Sequence, residues 1–215
     1  MFAHKKGSTL IASAIVVLSL SSLMSPAAYA EPKGLTMVRI PGKNFEIGKY
    51  EVTQGEWKAM MGKNPSHFER CGDNCPVEQV SWNEVQLYLQ KLNAKTGKKY
   101  RLPTETEWEY ACFGDTKKDY CVENLTIDNS AWLNANSDNT PHPIGQKKAN
   151  NYGLHDMNGN VWEWMQDCDE NNCDVRVSRG GSWSNMPQSG RTAFRIKNTP
   201  EFKSKELGFR LARTL

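Results

Sequence analysis

The chain has 215 residues, of which 38% are hydrophobic and 24% are charged. This composition supports a folded core and argues against wholesale disorder. The 27 Lys and Arg nearly balance the 24 Asp and Glu, so the chain lacks the field with which proteins bind nucleic acid or an anionic membrane. We therefore expect no nucleic-acid partner.

Residues 1–30 have the pattern of a secretory signal peptide: a basic start, an apolar run over residues 10–24 and the small-residue site Ala28-Tyr29-Ala30. The run is short for a membrane span, which needs about 20 apolar residues. We predict cleavage after Ala30, which removes two lysines and no acidic residue and lowers the formal net charge from +3 to +1. The mature chain, residues 31–215, is then a single periplasmic or secreted domain without direct membrane insertion.

All six cysteines lie in the mature part, at Cys71, Cys75, Cys112, Cys121, Cys168 and Cys173. An even number in an exported chain indicates disulfides. Of the 15 possible connectivities, we favour the three local pairs Cys71–Cys75, Cys112–Cys121 and Cys168–Cys173. The alternative is a thiolate metal site, which is less favoured because histidines are scarce and no Cys-x2-Cys pair is present.

The predicted elements begin with a strand and hairpin over residues 37–50, where apolar and polar residues alternate. A short amphipathic helix is expected over residues 54–61. The run from Ser81 to Glu84 has the pattern of a capping box, and apolar residues at helical spacing follow it as far as Thr96-Gly97. A second capping box, over residues 104–107, predicts a helix that continues through Cys112.

Beyond Cys121 the chain is rich in Asn, Gly, Asp and Pro, which is typical of long structured loops with short strands. A last strand is expected over residues 207–211. The seven tryptophans are interpreted mainly as buried side chains that organise irregular backbone. The predicted fold class is therefore α+β with low regular secondary structure.

Ordered sequence blocks along the mature chain resemble those of a known family. They are Met37-Val38-Arg39-Ile40-Pro41-Gly42, Tyr50-Glu51-Val52-Thr53, Arg101-Leu102-Pro103-Thr104-Glu105, Gly153-Leu154-His155-Asp156-Met157 with Asn158-Gly159-Asn160-Val161-Trp162-Glu163-Trp164, Arg179-Gly180-Gly181-Ser182-Trp183 and Leu207-Gly208-Phe209-Arg210. The order and spacing are similar to the formylglycine-generating enzyme (sulfatase-modifying factor) domain family. The resemblance covers residues 35–215 and implies a variant of the C-type lectin fold.

The resemblance also specifies where the catalytic copper ligands of the family would lie. The enzymes hold copper(I) with two cysteines, three and eight residues after the serine of the Gly-Gly-Ser block. Those positions are Asn185 and Gly190 in this chain, and no cysteine follows Gly180. Because copper(I) prefers thiolate ligands, we expect no copper and no formylglycine formation.

Another branch of the family oxidises sulfur compounds with non-heme iron. Such a site would have to be assembled from His67, His142 and His155, without the additional helical domain and the His-x3-His-x-Glu string of that branch. A metal-dependent oxidoreductase therefore remains the first alternative.

A structural calcium site is implied by the same resemblance. Its ligands would be the side chains of Asp156 and Glu163 and the backbone carbonyls of Gly159 and Val161. Carboxylates and carbonyls suit the six to eight oxygen ligands of calcium. The alternative is that the acidic and amide side chains of this loop only cap turns. A second calcium site would fall within residues 129–138.

The absence of copper ligands favours a non-catalytic accessory protein that binds another exported or membrane protein, in the manner of copper-less periplasmic relatives in secretion signalling or siderophore maturation. The expected partner-binding residues follow Gly181, on the segment that lines the substrate groove of the enzymes: Trp183, Asn185, Met186 and Arg191. A glycan or small-ligand binder is the second alternative.

Overall fold

The computed structural model describes residues 1–3, 35–114, 120–121, 127–170, 172–187 and 193–215. The chain separates into two units, Met1–Ala30 and Glu31–Leu215. The signal-peptide prediction falls mainly on residues outside the described ranges, and so does Arg191. Within the described ranges, no helix is long and apolar enough to cross a membrane.

Two four-stranded sheets form the framework of the larger unit. The first has the order β1-β2-β8-β3, with all neighbours antiparallel, and consists of β1 (Met37–Arg39), β2 (Phe45–Gly48), β3 (Tyr100–Arg101) and β8 (Ala212–Thr214). The second has the order β6-β5-β4-β7 and consists of β4 (Trp162–Asp169), β5 (Asn172–Arg179), β6 (Arg195–Asn198) and β7 (Leu207–Gly208). The two ends of the larger unit therefore meet in the first sheet.

The first three helices begin and end where local signals predict. They are α1 (Gln54–Met61), α2 (Trp82–Thr96) and α3 (Glu105–Phe113); a fourth helix of a single turn, α4 (Ile127–Ser130), was not predicted. Capping boxes at Thr53, Ser81 and Thr104 start the first three, and glycines in the left-handed conformation end them. Because a cap satisfies amides that have no partner inside the helix, these boundaries depend on local sequence.

Two strand predictions were wrong. The prediction of short strands beyond Cys121 missed the hairpin of β4 and β5, each eight residues long. The predicted strand over residues 207–211 is divided: β7 ends at Gly208 and pairs in parallel with β4, whereas β8 begins at Ala212 in the other sheet. Phe209 and Arg210 connect the sheets, and both are buried.

The core contains two hydrophobic clusters, one around α2 and one around α3. Trp164 and Trp108 are fully buried, one in each cluster. The indole N–H of Trp164 donates to the carbonyl of Val80 at 3.0 Å, and that of Trp108 donates to Glu163 at 2.7 Å. Because both indole N–H groups have an acceptor, these two large rings fill space between irregular segments without leaving a buried N–H unpaired.

The disulfide prediction is confirmed: Cys71–Cys75, Cys112–Cys121 and Cys168–Cys173 are bonded, and no cysteine is free. Three disulfides in a chain of this size indicate an oxidising compartment.

Replacing Ser81 with alanine tests the capping box of α2. The Ser81 hydroxyl accepts from the Glu84 amide at 3.2 Å, while the Glu84 carboxylate accepts from the Ser81 amide at 3.0 Å. We expect Ser81→Ala to lower the free energy of unfolding by about 1 kcal/mol, measured by urea denaturation. Ser81→Thr, which keeps the accepting oxygen, is the control; equal losses in both variants would show that the cap is not responsible.

Candidate functional site

The segment that corresponds to the copper ligands begins after two glycines with positive φ, Gly180 at 102° and Gly181 at 81°. It then closes into a turn. The side-chain oxygen of Asn185 accepts from both the amide and the hydroxyl of Ser182 at 2.9 Å, and the Asn185 amide donates to the Ser182 carbonyl. Asn185 therefore stabilises this turn, in the position where the enzymes have a thiolate.

The other expected partner-binding residues differ in exposure. Trp183 is only 4% exposed: its ring packs edge-on against Phe68, and its indole N–H donates to the Lys205 carbonyl at 3.3 Å. Met186 is 65% exposed. Trp183 thus supports the surface from beneath, and Met186 is the exposed side chain of the two.

A cleft of about 470 Å³ lies beside this turn. Its walls are residues 67–71, which include one cysteine of a disulfide, and residues 140–143. The volume is within the usual range of about 300–1,000 Å³ for ligand sites. The sequence did not single out this cleft, because its walls lie about 70 residues apart in the chain.

Contacts among three loops join the cleft to the turn. Phe68 lines the cleft and packs on Trp183 with ring centroids 5.4 Å apart. The Ser137 hydroxyl donates to the Trp183 carbonyl at 2.7 Å, and the ring of His142 bonds the Ser137 carbonyl at 2.9 Å. We use the term binding face for residues 67–71, residues 140–143 and Met186.

The three histidines of the larger unit occupy different surroundings. His67 is exposed and His142 stacks on Trp132 with ring centroids 3.6 Å apart; both line the cleft. His155 stacks on Tyr50, and its Nδ1 bonds the Lys147 carbonyl. The structure therefore brings two of the three histidines to one cleft and places the third in a packing role.

The loop predicted to bind calcium leads into a buried ion pair. Glu163 and Arg210 are both fully buried, and their side chains are joined by contacts of 2.7–2.9 Å. Trp108 donates to the same carboxylate. Burial opposes the positive charge of Arg210, but the Glu163 carboxylate outweighs it and raises the pKa of Arg210.

Two more buried carboxylates lie close to this pair. Glu51 accepts from the Asn160 side chain at 2.6 Å and from the Val161 amide at 3.1 Å. Burial raises the pKa of Glu51 well above its ordinary value, and the charges of Asp156 and Glu163 raise it further. Three buried carboxyl groups therefore interact electrostatically with one buried guanidinium, which forms its ion pair with Glu163.

Asp156 has an open acceptor position. Its Oδ2 accepts from the Gly145 amide at 2.7 Å, while its Oδ1 is buried without a hydrogen-bond partner. Burial raises the pKa of this carboxyl, and the Gly145 amide opposes the shift. Its backbone is left-handed, with φ of 57°.

These contacts decide how well the predicted calcium ligands fit an ion. Both oxygens of Glu163 already accept two donors: Oε1 accepts from Nε and Nη2 of Arg210, and Oε2 accepts from Nε of Arg210 and the indole N–H of Trp108. Asp156 is better suited to bind a cation, because its buried Oδ1 has no hydrogen-bond partner and a bound cation would pair with it. Within the described part of the chain, no group of three His, Cys, Asp or Glu is arranged to hold a metal. The calcium site thus remains a prediction.

Two residues of this centre were given no role by the sequence analysis, although both lie in blocks that carried the family resemblance. Glu51 and Arg210 are each charged residues among buried apolar ones, Val52 and Phe209. That pattern indicates a paired or functional charge, but it cannot name a partner more than 100 residues away, as Asn160 is from Glu51.

Comparison with known proteins identifies the family to which the chain is similar. Residues 6–215 match the family model described as sulfatase-modifying factor enzyme 1-like domain. "Chaperone protein LppX" of Paenibacillus barcinonensis is 28% identical over 97% of this chain and 92% of its own. "Inactive C-alpha-formylglycine-generating enzyme 2" of Bos taurus is 37% identical, and the match covers 75% of this chain and 57% of that protein.

Among solved structures, Treponema denticola variable protein 1 superposes with a TM-score of 0.73 at 28% identity, covering 84% of this chain and 92% of its own. The fold prediction is confirmed by this likeness, since the strands, loops and low helix content agree with it. The chain belongs to the sulfatase-modifying factor enzyme 1-like domain family and has its formylglycine-generating-enzyme-like fold.

Proposed function

We propose that the protein is an exported, non-catalytic binding protein that acts on another exported or membrane protein. The observation that carries this proposal is that the chain offers no free cysteine. All six cysteines are in disulfides, while Asn185 and Gly190 stand at the two copper-ligand positions. No thiolate is therefore available for copper(I) or as a nucleophile.

The relatives support an accessory role without defining it. One is called an inactive enzyme and another a chaperone. Both names describe functions that a scaffold can perform without turnover, and a shared fold alone does not decide between them.

The binding face is the surface that we propose for partner contact. It combines an exposed Met186 with a cleft whose wall includes Phe68, and the buried ring of Trp183 holds the two parts together. Flexible methionine side chains and aromatic rings are common in protein interfaces. Arg191, the remaining predicted partner-binding residue, lies outside the described residues.

Calcium has a structural role in this proposal. Asp156, with the carbonyls of Gly159 and Val161, would provide oxygen ligands beside the carboxylate of Glu163. The ion would favour the ionised forms of carboxyl groups whose pKa burial raises, Asp156 and its neighbour Glu51. Export through a signal peptide over residues 1–30 agrees with the three disulfides.

Copper binding tests the non-catalytic assignment. We expect the protein to retain no copper(I) against a competing chelator and not to oxidise a cysteine-containing peptide. The double variant Asn185→Cys with Gly190→Cys restores both ligand positions and is the positive control for copper retention. Tight copper binding and peptide oxidation by the unaltered protein would instead establish the oxidoreductase.

Calcium dependence of stability tests Asp156. Ligand binding to the folded state alone raises stability by about 2.7 kcal/mol when calcium is at 100 times its Kd. We expect calcium to raise the melting temperature of the unaltered protein and to leave Asp156→Asn unchanged, since asparagine tolerates the left-handed backbone but lacks the charge. Asp73→Asn, at an exposed position, is the control. A calcium response that persists in Asp156→Asn would refute the site.

Site-specific cross-linking tests the binding face. A photoreactive amino acid at position 186 should yield a defined cross-linked product in the cells that export the protein. The same group at Leu87, which is 52% exposed on α2, is the control for general exposure. Identical products from both positions, or none from position 186, would place the interface elsewhere.

A further inference from the structure

A buried carboxylate that the proposed function does not use lies behind the cleft. Glu78 is 0% exposed. Its Oε1 accepts from the Phe68 amide at 2.8 Å, and its own amide donates to the Ser66 hydroxyl at 3.3 Å. Through these two bonds Glu78 holds residues 66–68, the start of one cleft wall.

The backbone of Phe68 is hydrogen-bonded at both its carbonyl and its amide. Its carbonyl accepts from the Gln54 side chain at 3.1 Å, while its amide donates to Glu78. Gln54 in turn accepts from Asn64, whose side chain caps the Ser66 amide. The position of the Phe68 ring, which lines the cleft and touches Trp183, thus depends on Glu78.

The charge of Glu78 is poorly compensated. Its Oε2 is buried and has no hydrogen-bond partner, and no ion pair reaches this carboxylate in the described part of the chain. The facing groups are the amides of Phe68 and His67 and, at longer range, the ammonium of Lys205 on the loop before β7. His67 is exposed, and its imidazole packs edge-on against the Phe68 ring.

We propose that Glu78 is a pH-sensitive latch that keeps the cleft wall of residues 66–68 closed when protonated and releases it when ionised. A neutral carboxyl can remain in this dry position, whereas an ionised one with an orphaned oxygen gains by admitting water. Opening the wall supplies that water. That the latch regulates partner binding rests on the proposed function; the latch itself does not.

The direction of the pH effect follows from linkage. Burial raises the pKa of Glu78 to about 7 from its ordinary value, and the Phe68 amide, the His67 amide and Lys205 limit the rise. The closed form therefore binds its proton more tightly than the open one. Its stabilisation is complete below the ordinary pKa of a glutamate and is lost as pH rises through about 7.

Hydrogen exchange of the Phe68 amide tests the latch. We assume that opening of the wall restores the ordinary pKa of Glu78. The protection factor of the Phe68 amide, corrected for its intrinsic exchange rate, should then fall by about 70-fold from about pH 5 to about pH 8. Glu78→Gln keeps an oxygen for the Phe68 amide but cannot ionise, so its protection should stay constant. Glu69→Gln, an exposed neighbour on the same wall, should behave like the unaltered protein.

A direct titration keeps the test independent of the variants' folding. In the unaltered protein, the carboxyl carbon of Glu78, followed by NMR, should titrate near neutral pH. A midpoint in the ordinary range of glutamates, or a loss of protection in Glu78→Gln equal to that of the unaltered protein, would overturn the proposal. Both measurements omit any partner, so a failed cross-link at position 186 would refute the binding face and leave the latch standing.

Discussion

The buried pair of Glu163 and Arg210 is the interaction on which the rest of the structure depends. Arg210 lies between the two sheets and donates to the carbonyls of Gly48 and His155 as well as to Glu163 on β4. Glu163 also accepts from Trp108 of α3. One pair therefore connects both sheets, a helix and the Asp156 loop. Such a pair contributes little net stability, but removing one member leaves an unpaired buried charge that costs several kcal/mol.

The fold could be predicted where its causes are local. The capping boxes at Ser81 and Thr104 place helix starts within one turn of sequence, and the glycines that follow place the ends. The hairpin of β4 and β5 was missed because residues 166–175 are rich in Asp, Asn and Cys, which are typical of loops. Cross-strand pairing and the Cys168–Cys173 bridge hold residues 166–169 and 172–175 in strands.

The candidate site was predictable only in part, for a similar reason. The family resemblance pointed to Asp156 and Glu163, but it did not indicate that Arg210 occupies the Glu163 oxygens. The cleft requires two segments about 70 residues apart to meet, and Glu78 acquires its properties from burial beneath them. Burial and long-range pairing are outcomes of folding, so the order of residues along the chain does not specify them.

The disulfides have a consequence for how the chain matures. Each joins cysteines fewer than ten residues apart, and the three loops follow one another without overlap. A polypeptide that emerges into an oxidising space from its amino end can close each bridge before the next pair arrives. Consecutive pairing of this kind shortens the time in which a thiolate could attack a disulfide elsewhere in the chain.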